Sequence, residues 1–168
     1  MNPSLITFAG LPGTGKSTIA RHLAPRLPAV WLRIDVIEQC LRETQPERDD
    51  LGADGYKIAA AVAESNLVAG HYVIADSVNP VALTRDIWSA IAAAAEVPQL
   101  RVEVVCSDDD KHRHRVQNRR PDITGLDLPD WQGVLSREYH PWAEADLRID
   151  TAQLSPDQAV EAIVAALE

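Results

Sequence analysis

The chain has 168 residues, of which 46% are hydrophobic and 24% are charged, a composition typical of globular proteins. Its 16 Lys and Arg residues and 25 Asp and Glu residues give a formal net charge of −9. This balance argues against a protein whose main role is to bind duplex nucleic acid, and every apolar run is shorter than the ~20 residues of a membrane-spanning helix.

The N-terminal segment and the cysteines bear on the compartment. Residues 1–10 lack the basic region of a signal peptide and lead directly into a strand pattern. Cys40 and Cys106 both lie in apolar sequence, which is typical of buried, reduced thiols rather than of a disulfide scaffold. We therefore expect a cytoplasmic protein.

Short apolar runs alternate with longer helical patterns along the chain. The predicted strands span 4–9, 30–34, 71–75, 101–106 and 146–150. The predicted helices span 16–27, 35–45, 54–69, 80–95, 108–119, 130–140 and 155–167. This alternation favours a parallel sheet with helices on both faces. No linker interrupts it, so we expect residues 1–168 to form one domain.

The first strand leads into GLPGTGKST, residues 10–18, which matches the phosphate-binding pattern G-x-x-x-x-G-K-[ST]. A strand before the pattern and an amphipathic helix after it are the context that this loop requires. Lys16 is expected to reach the β- and γ-phosphates of a nucleotide, and the Ser17 hydroxyl to bind Mg²⁺. The other predicted nucleotide contacts in the loop are Gly10, Pro12, Gly13, Thr14, Gly15 and Thr18.

Two carboxylates follow the second strand in WLRIDVIEQC, residues 31–40. Asp35 is either a strand-end residue at the water boundary or a general base. Glu38 lies three residues later, so on a helix the two side chains face the same side.

The third strand ends at Asp76, which is predicted to contact the Mg²⁺ shell or the phosphate acceptor, or else to cap the next helix. Asn79 follows at the carboxyl edge of the sheet, where ligands of open α/β folds bind, although a plain turn before Pro80 also explains it. Arg85, in the next helix, is a candidate partner for an anionic acceptor. This strand is followed by DSVN rather than D-x-x-G, and N-K-x-D is absent, so the sequence does not predict a GTPase switch.

A basic segment, DDDKHRHRVQNRRPDITGLD, follows the fourth strand and lies in a predicted lid at about 108–130. Arg115 and Arg119 are four residues apart, hence on one helix face, where they can neutralise charge on a transferring phosphoryl group. The alternative is a solvated basic helix face. His112 and His114 are two residues apart and point in different directions, which does not favour a metal site.

These pieces together resemble the small P-loop kinases related to polynucleotide kinase, chloramphenicol phosphotransferase, gluconate kinase and the zeta-type toxins. The resemblance runs from GLPGTGKSTIA through RID, VIADSVNP and RVQNR to IDTAQLSPDQAVEAI, nearly the whole chain. It implies a three-layer P-loop fold with a five-stranded parallel sheet and a small lid, and phosphoryl transfer from ATP with Mg²⁺. By this resemblance Asp35 is the general base, Arg115 and Arg119 are the lid arginines, and Thr151 lies near the adenine.

Glu38 departs from the family pattern. Related chains often carry D-x-x-R where this chain has D-x-x-E, and a carboxylate there would repel the phosphates of a nucleic acid. With Asp35, Glu38 and Asp76 around it, the acceptor pocket is expected to be acidic apart from Arg85 and Lys16. We therefore expect a small neutral or cationic acceptor, such as a sugar, an antibiotic or a nucleoside-like compound.

Two other functions are compatible with the sequence. One is a polynucleotide 5′-hydroxyl kinase, for which no basic channel outside residues 111–120 is evident. The other is a nucleotide-binding regulator without efficient catalysis, although a regulator has no need of a candidate base. No base-reading motif distinguishes ATP from GTP, and both a monomer and a homodimer are compatible with the sequence.

Overall fold

The computed structural model describes residues 3–168, and its centre is a single five-stranded sheet. All strand pairs are parallel, and the strand order is β2-β3-β1-β4-β5. The strands are β1 (Leu5–Ala9), β2 (Val30–Arg33), β3 (Val73–Asp76), β4 (Gln99–Val105) and β5 (Leu147–Asp150). This arrangement confirms the predicted fold class.

Helices cover both faces of the sheet. They are α1 (Lys16–Leu23), α2 (Ile34–Thr44), α3 (Asp54–Val68), α4 (Ala82–Ala94), α5 (Asp109–Asn118), α6 (Trp131–Leu135) and α7 (Pro156–Ala166). Alternate residues of β1 point to opposite faces, so Phe8 packs with α1 and α7 while Leu5 packs with α3 and α4. Every residue of β1 is buried, as expected for the central strand of a three-layer fold.

Two helices are shorter than the sequence predicts. Helix α1 ends at Leu23 rather than at residue 27, because Pro25 has no backbone N–H with which to continue the hydrogen bonds of the helix. Helix α6 covers only Trp131–Leu135 of the predicted 130–140, and the chain after it turns back onto the sheet. The predicted start of α7 is confirmed, since Ser155 and Gln158 form a reciprocal capping box ahead of the helix.

The strand ends place the residues of interest at one edge. Parallel strands all end at the same edge, and the loop after β1 lies there beside the ends of β2 and β3. Arg33 and Asp76 are paired in the register of β2 and β3. The chain passes from β2 into α2 without a loop, so Asp35 lies in the first turn of that helix.

The two cysteines differ in their exposure to solvent. Cys106 is buried as expected, but Cys40 is exposed on α2, so the prediction of a buried thiol is wrong there. Among residues 3–168, no helix is both long enough and apolar enough to span a membrane.

Candidate active site

The loop between β1 and α1 (residues 10–15) has backbone angles that require its glycines. Gly10, Gly13 and Gly15 have φ values of 145°, 84° and 107°, a region that side chains disfavour. A Cβ at Gly13 would lie 2.5 Å from Cγ2 of Val116 on α5, so a glycine also allows the helix to approach the loop. The Thr14 hydroxyl donates to the Leu11 carbonyl at 2.9 Å and holds the curl of the loop.

Lys16 is the buried cation of this loop. Its Nζ donates to the Leu11 carbonyl at 3.0 Å, and only 7% of the residue is exposed. Burial lowers the pKa of Lys16 to about 8, and the carboxylates of Asp76 and Asp35 oppose that shift. Burial therefore destabilises the charged form of Lys16 more than the two carboxylates stabilise it.

Asp76 lies at the end of β3 and faces Lys16 across the cleft. Its Oδ2 accepts a hydrogen bond from Trp31 Nε1 at 3.1 Å and lies 4.0 Å from Nε of Arg33. Burial raises the pKa of the Asp76 carboxyl, which Lys16 and a hydrogen bond from the Ser17 hydroxyl oppose. A hydroxyl and a carboxylate beside a phosphate-binding loop are the hard oxygen donors that Mg²⁺ takes together with phosphates, so Ser17 and Asp76 fit this ion.

Asp35 and Glu38 both line the cleft from α2, but their surroundings differ. Asp35 is exposed. Glu38 is partly buried, pairs with Arg42 at 3.4 Å, and has its pKa raised chiefly by burial. A Cβ at Gly55 on α3 would lie 2.6 Å from Cγ of Glu38, so the missing side chain of Gly55 makes room for this carboxylate.

A cavity of about 940 Å³ joins these groups. Its wall consists of the phosphate-binding loop, the start of α2, the end of α5 and much of the segment between α5 and α6. Among the residues that the structure describes, eight Lys and Arg side chains line it, against five carboxylates. The cations are Lys16, Arg21, Arg33, Arg42, Arg115, Arg119, Arg120 and Arg137, and the carboxylates are Asp35, Glu38, Asp76, Asp122 and Asp127. The cavity as a whole is therefore not acidic, because distant segments contribute arginines to it, and the charge of its acceptor end stays a prediction.

Arg115 has a different environment from the one expected. Its guanidinium donates to the Thr151 hydroxyl at 2.7 Å and to the Thr151 carbonyl at 2.9 Å. The same hydroxyl donates to the Thr14 carbonyl at 2.7 Å. Arg115 thus supports the phosphate-binding loop through Thr151, and this geometry does not favour its predicted contact with the transferring phosphoryl group. The proximity of Thr151 to an adenine stays a prediction.

Arg119 lies at the end of α5 and lines the cavity. Its Nε is buried and has no hydrogen-bond acceptor among the described residues. Burial lowers the pKa of Arg119, Arg137 adds to this effect, and Asp35 opposes it. A buried guanidinium nitrogen without an acceptor among the described residues is suited to an anionic ligand, and the predicted role of Arg119 with the phosphates stays a prediction.

Arg85 and Asn79 require a correction, because neither lines the cleft. Arg85 is buried, donates from Nε to the Asn79 carbonyl at 2.9 Å, and lies 5.1 Å from the ring centre of Trp142. The Asn79 side chain donates to the Phe8 carbonyl and accepts from Trp88 Nε1 at 3.0 Å. Both side chains connect elements of the fold, and neither is free to bind an acceptor.

Several cleft residues were not predicted from the sequence. Arg33 forms a two-pronged pair with Asp122 at 3.0 and 3.1 Å, which ties the segment between α5 and α6 to the end of β2. Arg42 and Arg137 also line the cavity. Of these three arginines, only Arg33 could have been predicted from the sequence, because it lies at a strand end. Arg42 and Arg137 reach the cavity through contacts between segments far apart in the chain.

A scan against family models matches residues 5–131 to the family described as AAA domain. That match covers most of the chain. The chain belongs to this family. A search of curated proteins finds no match.

Solved structures with the same fold include several kinases. A presumed kinase from Chloroflexus aurantiacus J-10-fl is 23% identical with a TM-score of 0.76, and all of each chain is covered. The APS kinase of Mycobacterium tuberculosis, solved with AMPPNP and APS, is 20% identical with a TM-score of 0.70, covering 99% of this chain and 98% of that one. A gluconokinase from Sinorhizobium meliloti 1021 is 19% identical with a TM-score of 0.63, covering 98% and 95%. At these identities the likeness shows the fold, and it confirms the resemblance to small P-loop kinases.

Proposed function

We propose that this protein is an ATP-dependent kinase that transfers the γ-phosphoryl group to a hydroxyl of a small polar molecule. The observation that carries the proposal is the meeting of a P-loop lysine, Lys16, with an exposed carboxylate, Asp35, in one cavity. A nucleotide-binding protein without chemistry needs the first group but not the second. The APS kinase and the gluconokinase share this fold, which also supports the assignment as a kinase.

The donor end of the cavity is suited to ATP and Mg²⁺. Lys16 would contact the β- and γ-phosphates, and Ser17 with Asp76 would hold the Mg²⁺, which neutralises charge on the phosphates when bound. The APS kinase of similar fold was solved with the ATP analogue AMPPNP, which supports an adenine nucleotide here. Asp35 would accept the proton of the acceptor hydroxyl as the new oxygen–phosphorus bond forms.

The charges of the cleft narrow the acceptor class. Two of its carboxylates are already paired, Glu38 with Arg42 and Asp122 with Arg33. The acceptor end thus presents balanced charge and many hydrogen-bonding groups, which suits a neutral, polyhydroxylated molecule. A cationic acceptor is less favoured than the sequence suggests, because Arg42 offsets the negative charge of Glu38.

A polynucleotide 5′-hydroxyl kinase is the second candidate. The observation that favours it is the excess of cations along the cavity. Three of the arginines come from separate parts of the chain: Arg21 from α1, Arg42 from α2 and Arg120 from the segment after α5. Phosphates of a nucleic acid strand could pair with such a surface. Against it, Glu38 places a carboxylate beside Asp35, where the strand would enter.

The first experiment is Mg²⁺-dependent release of ADP across a panel of acceptors. The panel contains neutral sugars, aminoglycoside and phenicol antibiotics, nucleosides and an oligonucleotide with a 5′-hydroxyl. Release stimulated by a neutral polyhydroxylated compound is expected. Stimulation by the oligonucleotide alone would favour the second candidate, and ATP binding with no stimulated turnover would favour a regulator.

The change Asp35→Asn tests the proposed base. Acceptor-dependent turnover should fall by about 10² to 10⁴, because the amide cannot take the proton, while ATP affinity stays nearly unchanged. Asp86→Asn is the matched control, since Asp86 is also exposed on a helix and lies outside the cavity. Full turnover in Asp35→Asn would show that Asp35 is only a strand-end residue.

A further inference from the structure

Arg137 enters the cavity from a segment that the sequence did not connect with the site. It lies two residues after the end of α6, is exposed, and lines the same cavity as Lys16, Asp35 and Arg119. Among residues 3–168, Arg137 has no carboxylate within 4.0 Å. It is therefore an arginine that lines the cleft without an ion-pair partner in the described part of the chain.

The backbone just after Arg137 is held firmly against the sheet. Glu103 of β4 is 1% exposed and accepts from the Tyr139 hydroxyl at 2.8 Å and from the Trp142 N–H at 2.9 Å. His140 donates its N–H to the Pro80 carbonyl at 2.8 Å, and its own carbonyl accepts from Arg85. The sequence predicts that Arg85 binds the phosphate acceptor. In the structure Arg85 is buried and instead fixes the segment that carries Arg137.

Arg137 and Arg119 lie close enough to affect each other. The positive charge of Arg137 lowers the pKa of Arg119 and contributes to the lowered pKa of Lys16. The Nε of Arg119 is buried without an acceptor, which costs free energy unless a ligand supplies one. Three cations line one cavity with an exposed aspartate, and one buried N–H donor lacks an acceptor among the described residues. A multiply charged anion would stabilise this arrangement.

We propose that Arg137 is a catalytic residue that contacts the γ-phosphoryl group of ATP together with Arg119, while Arg115 only positions the phosphate-binding loop. This inference rests on the proposed kinase function. In the transfer, a bond forms between the acceptor oxygen and the γ-phosphorus, and the bond from that phosphorus to the bridging oxygen breaks. The proton goes to Asp35, and ADP leaves with the electron pair. Two guanidinium groups on different segments would neutralise the phosphoryl oxygens throughout this step.

The test needs no knowledge of the acceptor. Affinities for AMPPNP and for ADP, both with Mg²⁺, are measured by calorimetry for the wild type, Arg137→Ala and Arg137→Lys. Arg137→Ala should weaken AMPPNP about tenfold and ADP less than twofold, because only AMPPNP carries the third phosphoryl group. Arg137→Lys should fall between, since it keeps the charge but not the two-pronged geometry. Arg26→Ala is the control, because Arg26 is an exposed arginine paired with Glu161 outside the cavity.

The outcomes separate this inference from the proposed function. Equal AMPPNP and ADP affinities in the wild type, or an undiminished preference for AMPPNP in Arg137→Ala, would overturn the role of Arg137 alone. A wild type that binds neither nucleotide would overturn the kinase proposal itself and this inference with it. Thermal unfolding of each variant checks the fold, and Arg137→Lys decides the matter if Arg137→Ala does not fold.

Discussion

Lys16 is buried, and the Leu11 carbonyl accepts a hydrogen bond from its ammonium. Burial favours the neutral amine, and its pKa is lowered to about 8 for that reason. Phosphates that contact the ammonium favour the charged form, so the pKa of Lys16 must rise when ATP binds. The affinity of the protein for ATP is then linked to pH through this one residue.

The sign of that linkage gives a prediction. Below about pH 8 Lys16 is protonated in both states, so the affinity for Mg²⁺-ATP should be constant. Above it, binding must take up a proton, and the affinity should fall by up to about tenfold per pH unit until the pKa of the complex is reached. Calorimetry in two buffers of different ionisation enthalpy measures this uptake directly.

The variant Lys16→Arg is informative for this prediction. A guanidinium remains protonated throughout this pH range, so the pH dependence should vanish even if the affinity is lower. An affinity that stays constant to about pH 9 in the wild type would contradict the assigned linkage.

The sequence located some residues of the candidate site correctly and others incorrectly. The phosphate-binding loop and Asp35 lie where the sequence predicts, because a motif or a strand end fixes their position locally. Asn79 follows a strand end almost as closely, yet its side chain, like that of Arg85 on α4, turns into the core. Whether a side chain faces a cleft or a core is decided by what packs around it, and no local pattern contains that information.

Among the elements, α5 is tied to the phosphate-binding loop at two points. His112 donates from Nε2 to the Pro12 carbonyl at 2.8 Å, and Arg115 reaches Thr14 through Thr151. The predicted lid therefore has two parts with different attachments. Helix α5 forms part of the loop's support, and the segment after it is held to β2 by the pair of Asp122 with Arg33.

Replacing Thr151 with valine tests this connection. The shape is retained, but the hydroxyl that donates to Thr14 and accepts from Arg115 is lost. We expect the free energy of unfolding to fall by about 1–3 kcal/mol, because polar groups around Thr151 lose their partner, and the affinity for Mg²⁺-ATP to weaken. Urea unfolding and calorimetry measure the two effects.

Thr44→Val is the matched control for this change. The Thr44 hydroxyl donates to the Cys40 and Leu41 carbonyls within its own exposed helix end, so the expected loss is below about 0.5 kcal/mol. Equal losses in the two variants would show that Thr151 does not connect the elements in the way its contacts indicate.

For the whole molecule, Asn79 connects the sheet with a helix layer. It is fully buried, has a positive φ of 43°, and bonds the Phe8 carbonyl of β1 and the Trp88 indole of α4. A glycine or asparagine tolerates this backbone conformation better than other residues do. The position thus satisfies a backbone requirement and two buried hydrogen bonds at once.

Asn79→Ala should accordingly destabilise the fold. We expect the free energy of unfolding to fall by about 2–4 kcal/mol, since the Phe8 carbonyl and the Trp88 N–H would be buried without partners. Thermal and urea unfolding measure this loss. Asn66→Ala is the control, because the exposed Asn66 side chain donates to the Val62 carbonyl one turn earlier in the same helix. A variant that is as stable as the wild type, but binds acceptor less well, would restore the ligand role that the sequence suggests.

The sequence by itself determined the fold class, the order of the elements and the phosphate-binding loop. Each of these depends on short-range regularities: apolar periodicity, a glycine pattern, and a helix start such as Ser155. Local rules also account for the end of α1 at Leu23, where the proline two residues later is the decisive feature.

The charge of the cleft was decided only by the tertiary structure. The arginines that line it come from α1, β2, α2, α5 and the segments on either side of α6, which the sheet order and the backbone contacts bring to one cavity. The surroundings of Arg115 and Arg137 depend on the tertiary structure in the same way. The first is drawn to Thr151, and the second is presented by a segment that Glu103 and Arg85 hold. An electrostatic field depends on distances in space, and separation along the chain does not give those distances.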